Sequence, residues 1–378
     1  MSTLLFFALA KHQKRYFSKL LAQPGIQGRV VTPAELPWPV LSALFRGIER
    51  VDWAALVEEK CQERRVKGKY AGLIYRLLLR LDLLLMALRV EALLAEECPD
   101  AVVVWNGSNR YCQVLLSLIA ADTQTFYFEN GLLPATTTLD ARGVNYRNSV
   151  PRDAAFYRAY AKRVQVESGA EPVRLIPRKP RSAGPAPIEL PARYIFIPFQ
   201  DDRDTQVRLF SPWVHNMREL FELGERINRE TGWSVVFKEH PSSREHYPEL
   251  HLRCNEQLMF ANGNSTQELI ESSAFVISLN STAGLESLLL GKPLLTLGQA
   301  FYNVEGVVVR AGTVDEMLAL VRQFPGWPVE ADLRGAFLHY LKHEYCVPGL
   351  WQEGSAEHLQ DVSRRLLAGI SPKEKECR

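Results

Sequence analysis

The stretch Tyr194-Ile195-Phe196-Ile197-Pro198-Phe199-Gln200-Asp201-Asp202-Arg203-Asp204-Thr205-Gln206 decides how this chain is organised. An uninterrupted apolar run stops at a proline, and three carboxylates follow within four positions. Such a run is the pattern of a strand covered on both faces, as in a parallel sheet. Polar groups just past its C-terminal end fall where open α/β sheets hold their ligands. Upstream, residues 177–187 read Pro-Arg-Lys-Pro-Arg-Ser-Ala-Gly-Pro-Ala-Pro, the most linker-like segment of the sequence. Downstream, a helical pattern begins near Ser211-Pro212-Trp213. The stretch therefore opens a second domain.

Working outward, strand and helix patterns alternate in both directions. Residues 4–10, 28–31, 101–105 and 125–128 read as strands before the linker. Residues 13–21, 42–66, 71–97 and 111–121 read as helices. Beyond residue 199, strands are expected at 234–237, 275–279, 294–297 and 307–309. Helices are expected at 212–230, 265–272, 283–290 and 313–323. Strand–helix alternation predicts parallel sheets. The expected fold is α/β, with two doubly wound Rossmann-type domains facing a cleft. The first spans residues 1–185 and the second 190–330. Residues 331–378 form helices that return toward the first domain and pack across the cleft.

Bulk properties exclude several classes. The chain has 378 residues, enough for two domains, and a formal net charge of +2. That balance gives no case for nucleic acid. The six cysteines are scattered without metal-ligand spacing, which suits a reducing, cytoplasmic compartment. The apolar opening carries its positive residues after it, so it reads as a buried strand and not as a signal peptide. Residues 71–95 are leucine-rich, but Arg76, Arg80, Asp82 and Arg89 interrupt them. Each charge at a bilayer centre costs about 2.5–3.5 kcal/mol. A long, mostly buried amphipathic helix is expected there, with peripheral membrane contact left open.

Four blocks could carry chemistry. Lys238-Glu239-His240-Pro241-Ser242 follows a strand, and the proline keeps His240 out of helical geometry. An ammonium and an imidazole there could hold a phosphate or carboxylate, or simply be a solvated loop. Asn280-Ser281-Thr282-Ala283-Gly284-Leu285-Glu286 opens a helix after another strand, as an anion site or as an ordinary cap. Phe128-Glu129-Asn130-Gly131 offers a carboxylate at a strand end, as a general base or as part of an Asn-Gly turn. In the opening stretch, Asp201, Asp202 and Asp204 match no tight metal cage. One of them could be a nucleophile, or all three could be solvated acids at a helix start.

Taken in order, these blocks resemble the capsule-polysaccharide β-Kdo transferases, which add 3-deoxy-manno-oct-2-ulosonic acid (Kdo) from CMP-Kdo. The Kdo-adding modules of O-antigen chain-terminating enzymes are similar. The shared pattern is Phe-Glu-(Asn/Asp)-Gly, Gln-x-x-x-Asp-(Thr/Ala/Ser), Lys-x-His-Pro and Asn-Ser-x-x-Gly-x-Glu. The resemblance implies a GT-B arrangement, with an N-terminal acceptor domain, a C-terminal CMP-sugar domain and no metal or other cofactor. It implies transfer with retention of the β configuration, with Asp204 as nucleophile and Glu129 as base. It further implies a donor site of Gln200, Lys238, His240, Asn280, Ser281, Thr282, Gly284 and Glu286. Lys238 and His240 would meet the phosphate or the Kdo carboxylate, Ser281 and Thr282 the phosphate, and Glu286 the ribose. Partners would be CMP-Kdo and a saccharide or lipid-linked glycan, with contact at the inner membrane or a polysaccharide-assembly complex left open. Two alternatives stand: an inverting transferase using CMP-sialic acid or a UDP-sugar, and a glycan- or nucleotide-binding partner without turnover.

Overall fold

The computed structural model describes residues 2–39, 48–66, 68–165, 175, 185–241, 243 and 245–370. Residues 177–184 of the expected linker, residues 42–47 of an expected helix and Ser242 lie outside them. The chain forms two units, Met1–Ser149 with Cys346–Arg378, and Val150–Tyr345.

The first unit is built on β1 (Thr3–Phe7), β2 (Gln27–Val31), β3 (Ala101–Trp105), β4 (Gln124–Asn130), β5 (Thr136–Asp140) and β12 (Val347–Pro348). Their order is β12-β5-β4-β3-β1-β2. β2, β1, β3 and β4 are mutually parallel, whereas β5 and β12 add an antiparallel edge. The helices are α1 (Lys11–Leu21), α2 (Trp53–Val66), α3 (Leu73–Glu97), α4 (Arg110–Leu118) and α13 (Ala356–Ala368). Leu5, Phe7, Val102 and Val104 pack among residues of α2, α3 and α4. Leu4, Phe6, Ala101 and Val103 pack on the opposite face, among residues of α1 and α13. Both faces are thus covered, and each buried Leu, Val or Phe contributes about 1.5–3 kcal/mol. That double cover is why β1 and β3 are apolar without alternation.

The second unit holds β6 (Tyr194–Pro198), β7 (Ser234–Lys238), β8 (Leu258–Phe260), β9 (Phe275–Ser278), β10 (Leu294–Thr296) and β11 (Val309–Arg310). Every neighbouring pair is parallel, in the order β8-β7-β6-β9-β10-β11. This is the doubly wound Rossmann order, whose direction of winding reverses between β6 and β9. All five residues of β6 are buried. Its helices include α5 (Ala154–Val164), α6 (Thr205–Phe210), α7 (Met217–Thr231), α8 (Pro248–His251), α9 (Thr266–Ser272), α10 (Thr282–Leu289), α11 (Val314–Gln323) and α12 (Ala331–Tyr340).

The chain is therefore α/β with two Rossmann-type units. The unit boundaries differ from those expected at residues 185 and 331. Residues 150–165 belong to the second unit because α5 packs on α12, with Tyr157 edge-on to Phe337 (5.3 Å) and Phe156 edge-on to Tyr340 (5.3 Å). Of the expected C-terminal helices, α12 stays in the second unit and only α13 joins the first. The expectation of a mostly buried helix over residues 71–97 also needs correcting. Leu79, Leu83, Met86 and Val90 of α3 are buried, but Leu73, Ile74, Leu77, Leu78 and Leu81 are more than half exposed. Among the described residues, no helix is long and apolar enough to cross a membrane.

Candidate functional site

A cavity of about 670 Å³ opens at the C-terminal edge of the second sheet. It is lined by residues that end or follow β6, β7, β8 and β9, the edge where the Rossmann order places ligands. Phe196, Pro198 and Phe199 come from β6 and its end, Lys238, Glu239, His240 and Pro241 from the loop after β7, and Ser281, Thr282, Ala283 and Glu286 from the start of α10. The sequence-predicted Lys238–Pro241 and Ser281–Glu286 blocks therefore share one cavity.

Lys238 lies at the end of β7. Its ammonium donates to the carbonyls of Asn262 (2.8 Å) and Asn264 (2.6 Å). Burial lowers its pKa from the ordinary lysine value, and the carboxylate of Glu268 works in the opposite direction. With two of its three N–H groups committed, one remains for a ligand. Ser281 is the N-cap of α10, its hydroxyl accepting from the amide of Ala283 (2.9 Å). The capping role expected of it is therefore real, but the hydroxyl proton is still available to donate. The helix start adds partial positive charge beside it. Lysine, imidazole, serine and the helix terminus thus meet in one cavity with the carboxylates Glu239, Glu268, Glu271 and Glu286, and Phe196, Pro198 and Phe199 give it an apolar side.

Gly284 has a packing reason. A β-carbon there would sit 2.4 Å from the hydroxyl of buried Tyr302, which donates to the carbonyl of Ser281 at 2.7 Å. Gly284→Ala is expected to cost about 1–3 kcal/mol by overpacking and to push Ser281 out of place. Urea unfolding measured alongside nucleotide binding checks both effects.

Gln200 and Asn280 are buried and do not line the cavity. The Gln200 amide donates to Asn280 Oδ1 (3.0 Å), and Asn280 Nδ2 donates to the carbonyls of Gln206 (2.9 Å) and Phe210 (3.1 Å). The pair ties the loops after β6 and β9 together at the point where the winding reverses. Its place is structural support for the groups around it.

The three acids after β6 separate by environment. Asp202 accepts from the amide of Met217 (2.8 Å) and the hydroxyl of Tyr247 (3.0 Å), and burial raises its pKa. Asp201 accepts from the amide of Arg203 within its own turn (3.0 Å). Asp204 is exposed and caps α6 through one oxygen, which accepts from Gln206 at 3.0 Å. Its other oxygen takes no hydrogen bond among the described residues. Asp204 is not among the residues that line the cavity.

Glu129 belongs to the first unit, at the C-terminal end of β4. It accepts from the side-chain amide of Asn106 (2.5 Å) and the backbone amide of Asn130 (2.9 Å). Asn106 follows β3 with φ at 60°, a left-handed conformation that asparagine tolerates better than most residues. Gly131 allows the chain to double back. A β-carbon there would lie 2.3 Å from the Thr136 carbonyl, to which the Gly131 amide donates at 3.0 Å. The Trp351 indole donates to Asn130 Oδ1 (2.8 Å) and stands edge-on to Trp105 at 4.6 Å.

Two contributions were not singled out from sequence. One is the wall formed by Asn262, Gly263, Ser265 and Thr266 after β8. Its signal was available as an Asn-Gly turn followed by Ser265, whose hydroxyl caps α9 through Glu268. The other is Asn106, which directly follows the strand expected at residues 101–105. Among the described residues, no three His, Cys, Asp or Glu side chains group as a metal site.

Part of the chain is similar to known proteins. Residues 185–349 match the model of the family described as capsule polysaccharide biosynthesis protein. The matched span holds the cavity and everything that lines it except Leu175. Protein FixF of Sinorhizobium fredii is 34% identical over 260 residues, which cover 67% of this chain and 61% of that protein. The capsule polysaccharide export protein KpsS of Escherichia coli is 28% identical over 132 residues, covering 32% of this chain and 33% of that one. The matches thus span less than two thirds of the length of these curated relatives. Among solved structures, a β-Kdo 2,7 transferase, KpsC of Thermosulfurimonas dismutans, superposes with a TM-score of 0.48 at 14% identity, covering 96% of this chain and 99% of that one.

Proposed function

We propose that the chain is a glycosyltransferase of surface-polysaccharide synthesis that moves Kdo from CMP-Kdo to a saccharide or glycolipid acceptor. The observation that carries this reading is the cavity at the C-terminal edge of the Rossmann sheet, where Lys238, His240, Ser281, Thr282 and Glu286 meet. The family match over the same residues supports it. Lys238, His240 and the start of α10 would hold the phosphate of the CMP moiety, and Glu286 would accept from ribose hydroxyls.

In this reading the Asp204 carboxylate attacks the anomeric carbon of Kdo, and the bond to the phosphate oxygen breaks. CMP leaves as its phosphate monoester. Glu129 then takes the proton of the acceptor hydroxyl. The resulting oxygen attacks the same carbon and displaces the Asp204 carboxylate. Two inversions retain the β configuration, as with paired carboxylates at other glycosyl centres. The proton on Glu129 passes to solvent, and the enzyme is restored.

The test is incubation with CMP-Kdo generated in situ and a panel of saccharide acceptors, with free CMP and intact protein mass read together. Release of CMP and a Kdo-sized mass gain that maps to Asp204 are expected. Tighter binding of UDP than of CMP would replace the donor assignment with another nucleotide sugar. Binding of CMP without turnover on any acceptor would leave a nucleotide-binding partner.

A further inference from the structure

The helix α3 is apolar on two opposite sides, and only one of them is used by the core. Leu79, Leu83, Met86, Ala87 and Val90 are buried in the first unit. Leu73, Ile74, Leu77, Leu78, Leu81 and Leu85 run along the other side at helical spacing, between 48% and 85% exposed. A helix hydrophobic on all sides is ordinarily covered on all sides.

The surroundings say what covers this one. Residues 64–81 contain six basic residues, Arg64, Arg65, Lys67, Lys69, Arg76 and Arg80; Arg65 and Arg76 pair with Glu58 (2.9 and 2.7 Å), and Lys69 and Arg80 are exposed. Arg64 donates to the carbonyl of Tyr70 (2.7 Å) and lies 4.3 Å over the ring of Tyr75. That contact fixes the turn carrying exposed Lys69 and Tyr70 at the head of the leucine stripe. Toward the other end, the Arg89 guanidinium donates to the carbonyls of Leu36 and Pro37. This holds Trp38, 87% exposed, beside the later turns of the helix. An apolar stripe with basic residues along it and an aromatic ring toward each end matches a helix lying in the interface of a bilayer. A second copy on this face would bring the exposed Lys69 and Arg80 of two chains together, which is unfavourable.

We infer that the exposed face of α3 docks the chain flat onto an anionic lipid surface. The helix lies in the headgroup region, its core side held by the protein, with Leu73, Ile74, Leu77, Leu78 and Leu81 inserted and Lys69 and Arg80 meeting lipid phosphates. The inference is independent of the sugar donor.

The test is sedimentation of the full chain with vesicles of phosphatidylcholine alone and of equal parts phosphatidylcholine and phosphatidylglycerol. Binding to the anionic vesicles is expected to exceed that to neutral ones by roughly tenfold or more and to weaken as salt is raised. The combined variant Leu77→Gln, Leu78→Gln, Leu81→Gln is expected to lose vesicle binding while keeping the parent melting curve, since all three residues face out. Lys69→Glu with Arg80→Glu is expected to remove the anionic preference. Failure to bind anionic vesicles at low salt, or unchanged binding by the leucine variant, overturns the inference. So does a concentration-dependent dimer in sedimentation velocity that the leucine variant abolishes, because the face would then belong to a second copy.

Discussion

Asp204→Asn is expected to lower turnover of CMP-Kdo by roughly 10⁴-fold or more, the scale seen when a nucleophile is removed, with little change in stability. The argument rests on what Asp204 does when no substrate is present. It caps α6 through one oxygen, and asparagine caps about as well as aspartate. Stability should therefore shift by less than about 1 kcal/mol. A neutral amide cannot form the adduct, so the Kdo-sized mass gain should vanish with the activity. Asp202→Asn makes the contrast. That carboxylate holds Met217 with one oxygen and Tyr247 with the other. An amide keeps Met217 through its oxygen but turns its NH2 toward the Tyr247 hydroxyl, which must then accept instead of donate, and two charge-assisted bonds become neutral ones, a cost of about 1 kcal/mol. Asp202→Asn should thus melt earlier yet retain most turnover per folded molecule. Full activity in Asp204→Asn, or loss of the adduct only in Asp201→Asn, would move the nucleophile elsewhere. Single-turnover assays on protein shown to be folded by circular dichroism separate these outcomes.

Much of this contrast could be foreseen from the chain, and part of it could not. β6 and β9 were legible because strands covered on both faces are written as unbroken apolar runs, and Pro198 and Asn280 mark their ends. The blocks after β7 and β9 were legible because lysine, histidine and hydroxyl residues at strand ends stand out against such runs. β5 was not legible, since three threonines in five residues look polar while their backbones extend the sheet. β8 is three residues long and leaves no period to detect. The order of strands depends on which crossovers pair in space, and no local signal in the chain encodes that. The roles of Asp201, Asp202 and Asp204 differ only through their partners, Met217 and Tyr247 among them, which lie 15 and 45 positions from Asp202. For α3 the leucine spacing was visible, but leucine on both sides of a helix does not say which side is left outside.

Lys238 carries the second large effect. Lys238→Met is expected to weaken CMP binding by about 10- to 150-fold, since a hydrogen bond to a charged group contributes about 1.5–3 kcal/mol. Its pH dependence distinguishes an electrostatic role from a merely structural one. Burial sets the folded-state pKa below the ordinary 10.5. A depressed pKa makes the group's stabilising contribution present above 10.5 and lost as pH falls through the lowered value, so at neutral pH the buried ammonium costs folding stability. A phosphate beside it offsets that cost, and the donor complex therefore favours the protonated form. CMP affinity of the parent should fall as pH rises through the lowered pKa, starting below 10.5, whereas Lys238→Met should lack that decline. The methionine variant also leaves the Asn262 and Asn264 carbonyls without their donor, so some stability is lost in any case. Lys238→Arg, which keeps the charge, should recover part of the affinity if the phosphate contact is electrostatic. Calorimetric titration of CMP across the alkaline range reads all three proteins. If parent and methionine variant bind CMP equally at neutral pH, Lys238 is a loop support and the phosphate lies elsewhere in the cavity.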